Sequence, residues 1–494
     1  MLRFNWDRLK QGPPPPPLTA LNQQIVVSGH YCLYVLRGAV LLGGIVISAS
    51  PHPVPVSSPS APYLAIKPHF STRQTDLVPP DQAKQLGDAR CVVQIWQCSL
   101  DHLARLAPLF KSLFEPISQL SSTLDPRLIW QPLGQWPTAC LSPGARLLIL
   151  GPKNSGKSSL ARYVANSFLS QGYDYLYHLE LDPSQSQYTP PGTIALTTLR
   201  KVSFFASYLQ MADVDDQVAY SVGYTSPMEN PSRYLALCKQ LISLVPENAT
   251  LVISTPGWTK GLGLELAQEL ASISEPTHAV HMGMDESYEP LQQYLMSDLG
   301  IDLNICESPE FTDKPKFSAS DICSLQTIGY FHAENPLHLT HWAPFVLSYD
   351  PDCEDGSAIS ALAVIDSEGI QPTDYKIPFE GSLVSIHQLH QSIPIQRGNI
   401  PYIAAHNVDD LLLSSSTIGY GVVQRMLEQG LRLLSPINPE NISGPIVLVR
   451  GRLSCPTPLI WDATQPPEDG PWLVAKPPPG VGSVYSTFRR NLQR

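Results

Sequence analysis

The chain has 494 residues, of which 43% are hydrophobic, and a formal net charge of −11. This length predicts two or three domains, and the apolar content excludes a chain that is disordered throughout. The acidic balance argues against a broad surface that coats nucleic acid, because such a surface needs clustered Lys and Arg, but it does not exclude a narrow basic channel.

Cysteine spacing and the N-terminal residues indicate the cellular compartment in which the protein is expected. The nine cysteines are scattered and never form a CxxC pair, so we expect no disulfide scaffold or zinc ribbon and a reducing environment. The first ten residues, "MLRFNWDRLK", are charged and lack the apolar core of a signal peptide. The most apolar early run, residues 38–47, is too short to span a bilayer and predicts a buried β-hairpin. We therefore expect a soluble intracellular protein.

The N-terminal part of the chain is predicted to be a leader followed by a β-rich domain. Residues 1–20 contain "QGPPPPP" and predict a polyproline II spacer. Residues 21–140 are assigned to the β-rich domain, since residues 25–47 are rich in β-branched and aromatic side chains. The Pro/Ser-rich residues 48–62 are predicted to be a loop. Farther on, the strand "CVVQIW" precedes a predicted helix with these apolar residues: Leu103, Leu106, Leu109, Phe110 and Leu113.

Short apolar segments alternate with helical patterns from residue 141 to 345. One predicted helix begins at Pro231 with Asn230 as its N-cap, another follows "RLLIL" and carries Leu160, Val164 and Phe168, and a third is "GLGLELAQELASI". This alternation predicts a parallel sheet covered by helices on both faces. The predicted strands are "RLLIL" and residues 175–182, 250–255 and 278–284.

The P-loop sequence is the strongest single motif. "GPKNSGKSS", residues 151–159, matches GxxxxGK[ST] and lies between a predicted strand and a predicted helix, which is the context that this motif requires. Lys157 would reach the β- and γ-phosphates of a nucleotide, and the Ser158 hydroxyl would bind Mg²⁺. The predicted ATP-binding residues are Gly151, Pro152, Lys153, Asn154, Ser155, Gly156, Lys157, Ser158 and Ser159.

A carboxylate follows the next predicted strand. Asp182 lies 25 residues after Lys157, where it could hold the metal or take a proton from an attacking hydroxyl. We expect Glu180 to face the other side of that strand, which leaves Asp182 as the candidate. A solvated strand end or a helix cap is the structural alternative for Asp182.

Four segments in order carry a family resemblance. "GPKNSGKSS", "LELDPSQSQYTPPGT", "VISTPGWTKGLG" and "TIGYFH" together resemble the polynucleotide 5′-hydroxyl kinases, and are most similar to the fungal pre-rRNA-processing branch. The resemblance implies an α/β fold: a central P-loop kinase domain with a parallel sheet and a lid, residues 141–345, between N-terminal and C-terminal β-rich domains. The C-terminal domain would comprise residues 346–494, with one helix at "GVVQRMLEQGL" (421–431).

The resemblance also implies a reaction and its residues. ATP and Mg²⁺ would be used to phosphorylate 5′-OH ends of RNA, with a pre-rRNA spacer endonuclease as partner and the nucleolus as location. Lys157 and Ser158 match the family's phosphate and metal residues, and Asp182 matches the carboxylate that activates the RNA hydroxyl. Gln185 matches a polar residue beside it and Trp258 an aromatic near the RNA end, although a Trp that packs at the end of a core strand is the alternative. Thr255 and Lys260 are weaker candidates on the same loop.

One departure from the family pattern leaves the rate of transfer open. The lid is expected to contribute an arginine, but Cys323 stands near that position, and no Lys or Arg occurs between Lys316 and Lys376. Three explanations stay open: Lys314 or Lys316 supplies the charge, a partner subunit supplies it, or the chain is an ATP-binding scaffold that activates its nuclease. A P-loop kinase of a small molecule is a further alternative, which the large terminal domains argue against.

Histidine and acidic clusters give no second site. The pairs "HLTH" (338–341) and "HQLH" (387–390) have no neighbouring Cys or acidic cluster at metal-ligand spacing, so we expect structural histidines. "DVDDQ" (213–217) lacks the glycine and distal glutamate of a calcium loop.

Overall fold

The computed structural model describes most of the chain. The described residues are 16–60, 62–69, 75–98, 100–120, 124–125, 129–130, 142–210, 216–307, 316–333, 335–353, 358–366 and 374–460. The predictions for most of the proline-rich leader, for Lys314 and for residues 213–215 lie outside them. Among the described helices, none is both long enough and apolar enough to cross a membrane.

The N-terminal sheet has eight strands. Its order is β1-β7-β2-β6-β3-β4, with β5 and β8 also paired to the long central strand β2. The predicted strands of residues 25–47 and the buried hairpin within them are confirmed as β2, β3 and β4. The strands are β1 (Thr19–Ala20), β2 (Ile25–Arg37), β3 (Ala39–Leu42), β4 (Ile45–Ser48), β5 (Val54–Ser58), β6 (Ala65–His69), β7 (Val92–Gln97) and β8 (Ser118–Gln119).

Two predictions for this region were wrong in part. Residues 48–62 are not entirely loop, because β5 pairs antiparallel with β2 and buries Val56. The predicted helix of residues 103–113 is divided into α2 (Asp101–Leu106) and a 3₁₀-helix (Pro108–Leu113), since Pro108 has no N–H to continue the α-helical hydrogen bonds. A further helix, α1 (Pro80–Leu86), precedes β7.

The central sheet has seven strands in the order β12-β11-β10-β13-β9-β14-β15. Five of them, from β10 to β15 in this order, are parallel; β9, β10, β13 and β14 are the predicted strands, and β15 was not predicted. The other two, which form an antiparallel hairpin at one edge, were not predicted. The strands are β9 (Arg146–Leu150), β10 (Leu176–Glu180), β11 (Thr193–Leu199), β12 (Asp216–Ser221), β13 (Leu251–Ser254), β14 (His278–Met282) and β15 (Leu303–Cys306).

Helices cover both faces of this sheet, as predicted. Leu160, Val164 and Phe168 of the helix after the P-loop pack in one apolar cluster with Ile149 of β9. Leu237 and Leu270, from two other helices, pack with Leu148 in a separate cluster. The Asn230 side chain caps its helix by accepting a hydrogen bond from the Arg233 N–H, as predicted. The helices are α3 (Lys157–Ser170), α4 (Ser207–Gln210), α5 (Pro231–Ser243), α6 (Leu262–Ser274), α7 (Tyr288–Tyr294) and α8 (Ala319–His332).

The third sheet has six strands in the order β16-β20-β19-β18-β21-β17. The helix predicted for residues 421–431 was wrong: the segment forms the turn end of the hairpin of β19 and β20. Val422 pairs with Leu383 on one side and with Leu434 on the other, so strand pairing overrides a local pattern that a helix would also satisfy. The elements are β16 (Phe345–Ser348), β17 (Ala361–Val364), α9 (Lys376–Phe379), β18 (Leu383–Leu389), α10 (Val408–Leu413), β19 (Ser415–Met426), β20 (Gly430–Leu434), β21 (Ile446–Arg450) and α11 (Thr457–Ile460).

The histidine pairs are structural. His338 accepts a hydrogen bond from the Thr340 N–H at the start of a short 3₁₀-helix. His387 lies buried between the hydroxyls of Ser385 and Ser415, and burial lowers its pKa to about 3. Among the described residues, no group of three or more His, Cys, Asp or Glu side chains could hold a metal ion.

Candidate functional site

The P-loop connects β9 to α3 at the carboxyl edge of the central sheet. Gly151 and Gly156 have φ angles of +128° and +96°, in the region that favours glycine, and Asn154 at +64° is left-handed as well. A Cβ atom on Gly151 would lie 2.8 Å from the carbonyl oxygen of Met282 in β14. The two motif glycines are therefore required by backbone conformation and by close packing, before any ligand binds.

Lys157 is largely buried beneath this loop. Its Nζ donates hydrogen bonds to the carbonyl oxygens of Gly151, at 2.9 Å, and Pro152, at 2.8 Å. Burial lowers its pKa to about 8, while the nearby charges of Asp182 and Asp285 favour the protonated form. The ammonium is thus held at the P-loop with two carboxylates close by.

Asp182 follows β10 and begins a tight loop. Its Oδ1 accepts hydrogen bonds from the Ser184 N–H, at 2.9 Å, and from the Ser184 hydroxyl, at 2.6 Å. Among the described residues, no hydrogen bond reaches Oδ2. Asp182 is half-buried, as is Gln185 three residues later on the same loop. One carboxylate oxygen therefore fixes the loop while the other is available to a ligand.

Glu180 holds the far end of the same loop. Its buried carboxylate accepts hydrogen bonds from the N–H groups of Gln187, at 2.6 Å, and Tyr188, at 3.2 Å. Burial raises its pKa to about 8, and the charge of Asp182 adds to this rise. The expectation that Glu180 faces away from Asp182 was wrong in its reasoning, since residues two apart in a strand share a face. Glu180 acts on the loop backbone and leaves Asp182 as the carboxylate that could meet a ligand.

The loop after β13 packs directly on the P-loop. Thr255 donates a hydrogen bond from its hydroxyl to the Ile149 carbonyl oxygen, at 2.8 Å. A Cβ atom on Gly257 would lie 2.8 Å from both N and Cα of Lys153 and 2.9 Å from Nζ of Lys157. The two loops are therefore in backbone contact, and residue 257 has no room for a side chain.

Trp258 and Lys260 lie on this same loop. Trp258 is half-buried and packs against the central core and close to Gly263 of α6, where a Cβ would lie 2.5 Å from the indole Cγ. Lys260 is exposed, and its Nζ forms an ion pair of 2.5 Å with Glu286. Part of the Trp258 ring thus packs against the protein core. Trp258 and Lys260 both remain predicted RNA contacts.

Asp285 is a residue of this site that the sequence analysis missed. It follows β14, accepts a hydrogen bond from the Ser287 N–H at 3.0 Å, and accepts another from the Thr259 hydroxyl at 3.0 Å. Asp285 thereby links the loop after β14 to the loop that carries Trp258, and its charge acts on Lys157. The available signal was its position, an aspartate just past the end of a parallel strand, which is the same position that identified Asp182.

Helix α8 lies over the Asp182 loop. The Cys323 thiol donates a hydrogen bond to the Ser184 carbonyl oxygen at 3.0 Å, and the Gln326 amide donates one to the Ser186 carbonyl oxygen at 2.7 Å. Burial raises the Cys323 pKa to about 11, with the charge of Asp182 as the second cause, so the thiol stays protonated at neutral pH. Cys323 is thus at the site, where the sequence led us to look for an arginine.

Lys316, one of the proposed substitutes for that arginine, points elsewhere. Its Nζ donates a 2.7 Å hydrogen bond to the Ser112 hydroxyl of the N-terminal region and lies over the Phe317 ring. The first of the three explanations therefore does not hold for Lys316, and Lys314 lies outside the described residues.

The fold and the P-loop define a P-loop nucleotide-binding protein. Residues 151–333 match the family model of the mRNA cleavage and polyadenylation factor CLP1 P-loop. The chain is 26% identical to the polynucleotide 5′-hydroxyl-kinase grc3 of Neosartorya fischeri, over 83% of the chain and 53% of that protein. It is 23% identical to the polynucleotide 5′-hydroxyl-kinase GRC3 of Yarrowia lipolytica, over 82% of the chain and 67% of that protein. These matches support a relation of the chain to the polynucleotide 5′-hydroxyl kinases.

Two further facts delimit this comparison. The chain spans about half the length of the Neosartorya fischeri relative. A solved structure of Clp1p in complex with residues 454–563 of Pcf11p has a TM-score of 0.51 to the chain at 14% identity, and the match covers 88% of the chain and 96% of Clp1p. This likeness extends the shared fold over all three sheets.

Proposed function

We propose that the chain is an ATP-dependent polynucleotide 5′-hydroxyl kinase that phosphorylates 5′-OH ends of RNA during rRNA processing. The observation that carries the proposal is the meeting of three loops at one edge of the central sheet: the P-loop with Lys157, the Asp182 loop and the loop of Trp258. The names of its curated relatives support the same reaction.

The reaction is a single displacement. The RNA 5′-oxygen attacks the γ-phosphorus of ATP, the bond between that phosphorus and the β–γ bridging oxygen breaks, and ADP leaves. Asp182 accepts the hydroxyl proton through Oδ2 and later passes it to solvent. Lys157 exchanges its two P-loop carbonyl partners for phosphate oxygens and neutralises charge on them, since phosphate is the stronger hydrogen-bond acceptor.

The residues present fit ATP and Mg²⁺. The P-loop precedes the N-terminus of α3, where free N–H groups and the helix dipole favour phosphate, and the loop comprises the predicted ATP-binding residues 151–159. Ser158 and the Asp182 carboxylate would hold Mg²⁺, which would neutralise charge on the β- and γ-phosphates. Gln185, Trp258 and Lys260 would meet the RNA end, with Trp258 stacking on a base through the exposed part of its ring.

We further infer a hetero-oligomer in the nucleolus, in which a pre-rRNA spacer endonuclease supplies the 5′-OH ends. The resemblance of the sequence supports this proposal. The Clp1p structure supports the coarser point that proteins of this fold bind partner chains, because that protein was solved with a segment of Pcf11p.

The test is transfer of labelled γ-phosphate from ATP to a 5′-OH RNA oligonucleotide. We expect transfer by the wild type and none by Lys157→Ala, because the variant lacks the ammonium at the phosphates. The same oligonucleotide with a 5′-phosphate is the matched control and should take no label. If the wild type binds ATP but transfers nothing, alone and with its nuclease, the kinase proposal fails and an ATP-binding scaffold that activates the nuclease takes its place.

A further inference from the structure

Helix α8, which lies over the Asp182 loop, brings no positive charge to the proposed phosphate site. The described helix contains no Lys or Arg, and it contacts the Asp182 loop through the neutral thiol of Cys323, which donates to the Ser184 carbonyl oxygen. The phosphoryl group in transit carries negative charge on three equatorial oxygens, and Lys157 lies beneath the P-loop. A second cation, in addition to Lys157, could neutralise charge on these oxygens if it reached them.

Lys153 has the required position. Its backbone lies against Gly257, in contact so close that a Cβ on the glycine would be 2.8 Å from its N and Cα atoms. Its side chain therefore starts where the P-loop meets the loop of Trp258, and it is exposed. Burial is the main cause of the pKa shifts of Lys157 and Cys323, and the charge of Lys153 adds a smaller lowering contribution to the pKa of each, so its ammonium is within electrostatic reach of both.

Lys153 is also free to move toward a ligand. No hydrogen bond or ion pair joins it to any other residue in the described part of the chain. Several other basic residues have partners. Arg162 donates to Gln187, Arg200 pairs with Asp216, Arg233 with Asp366 and Asp409, Lys260 with Glu286, and Lys316 donates to Ser112.

We propose that Lys153 is a catalytic residue, whose ammonium contacts the γ-phosphoryl oxygens during transfer from the junction of the P-loop and the loop of Trp258. The inference rests on the proposed kinase function. Lys153 takes no part in proton transfer: the O5′–P bond forms and the P–O bond to ADP breaks as described above, while its point charge balances the charge on the equatorial oxygens. Its effect is larger in the transition state than in the ATP complex, because charge and geometry change there.

The experiment compares three variants of the full chain with the wild type. Lys153→Gln removes the charge, Lys153→Arg keeps it, and Lys239→Gln is the matched control, an exposed lysine on α5. For each, kcat for transfer to 5′-OH RNA is measured at saturating ATP, together with the Kd of ADP and the Kd of ADP with Mg²⁺ and aluminium fluoride, which mimics the transferring phosphoryl group.

For Lys153→Gln we expect kcat to fall about 10²-fold, the affinity for the aluminium fluoride complex to fall by a similar factor, and the Kd of ADP to change less than about threefold. Lys153→Arg should stay within about tenfold of the wild type, and Lys239→Gln should equal it. Unchanged kcat in Lys153→Gln would overturn the inference and leave the kinase intact. Equal losses of ADP and aluminium fluoride affinity would overturn it too, since they indicate a ground-state role. Absence of transfer by the wild type would overturn both proposals.

Discussion

Substitution of Gly257 by alanine tests whether contact between the two loops sets the geometry of the phosphate site. The added Cβ would lie 2.8 Å from the N and Cα atoms of Lys153, whereas ordinary van der Waals contact begins at 3.4 Å. The neighbours on one side are backbone atoms, which cannot rotate away. The P-loop and the loop of Trp258 must therefore separate by about half an ångström or more.

The cost of this separation follows from two effects. Overpacking of this kind costs typically 1–3 kcal/mol, so we expect the free energy of unfolding of Gly257→Ala to fall by about 1–3 kcal/mol. A displacement of about 1 Å at reacting groups can cost about 10²-fold in rate, so half that displacement predicts a kcat about tenfold lower. The φ angle of Gly257 is not in the left-handed region, so the predicted effect is steric.

The assay combines denaturant unfolding with the RNA phosphorylation rate. Gly398→Ala is the matched control, because a Cβ there would have its nearest neighbour at 3.9 Å, and it should leave both quantities unchanged. If Gly257→Ala keeps the wild-type kcat and stability within about twofold and 0.5 kcal/mol, the two loops do not constrain each other and the reasoning fails.

Three other predictions follow from single contacts. Asp182→Asn should lower kcat about 10²- to 10⁴-fold with ATP affinity retained, because the substitution removes the proton acceptor and one metal ligand. A kcat within fivefold of the wild type would exclude Asp182 as the base. Burial lowers the pKa of Lys157 to about 8 in the ATP-free protein, so kcat/KM for ATP should fall above about pH 8. In contrast, kcat should stay level to higher pH, because bound phosphate favours the ammonium form of Lys157. A kcat/KM profile that is flat up to pH 9.5 would contradict this prediction. Tyr330→Phe should cost about 1–3 kcal/mol in the free energy of unfolding, because the N–H of Tyr420 loses its 2.9 Å acceptor in a buried site, whereas Tyr173→Phe at an exposed position should not change stability.

Helix α8 connects the site to the C-terminal sheet. Cys323 and Gln326 bind the carbonyl oxygens of the Asp182 loop, while the Tyr330 hydroxyl accepts a hydrogen bond from the backbone of β19. The buried C-terminal half of α8 is therefore fixed between two sheets. This arrangement explains the apolar character of "TIGYFH" without assigning a catalytic role to those residues.

The sequence by itself determined the features that depend on local chemistry. The P-loop follows from the spacing of Gly151, Gly156 and Lys157, and the Asn230 cap follows from the residue type before Pro231. The parallel strands follow from their length and apolar composition. Each of these needs only the preferences of a few consecutive residues, and the structure has each in place.

Only the tertiary structure decided the features that depend on distant partners. The helical pattern of residues 421–431 became a hairpin because β18 and β20 flank Val422 on both sides. Asp285 joined the site because Thr259, from another loop, donates a hydrogen bond to it. Lys153 and Cys323 are far apart in the chain, and folding alone brings the charge of one to act on the other. Pairing energy between distant segments is absent from local sequence, which is why these features could not be predicted from it.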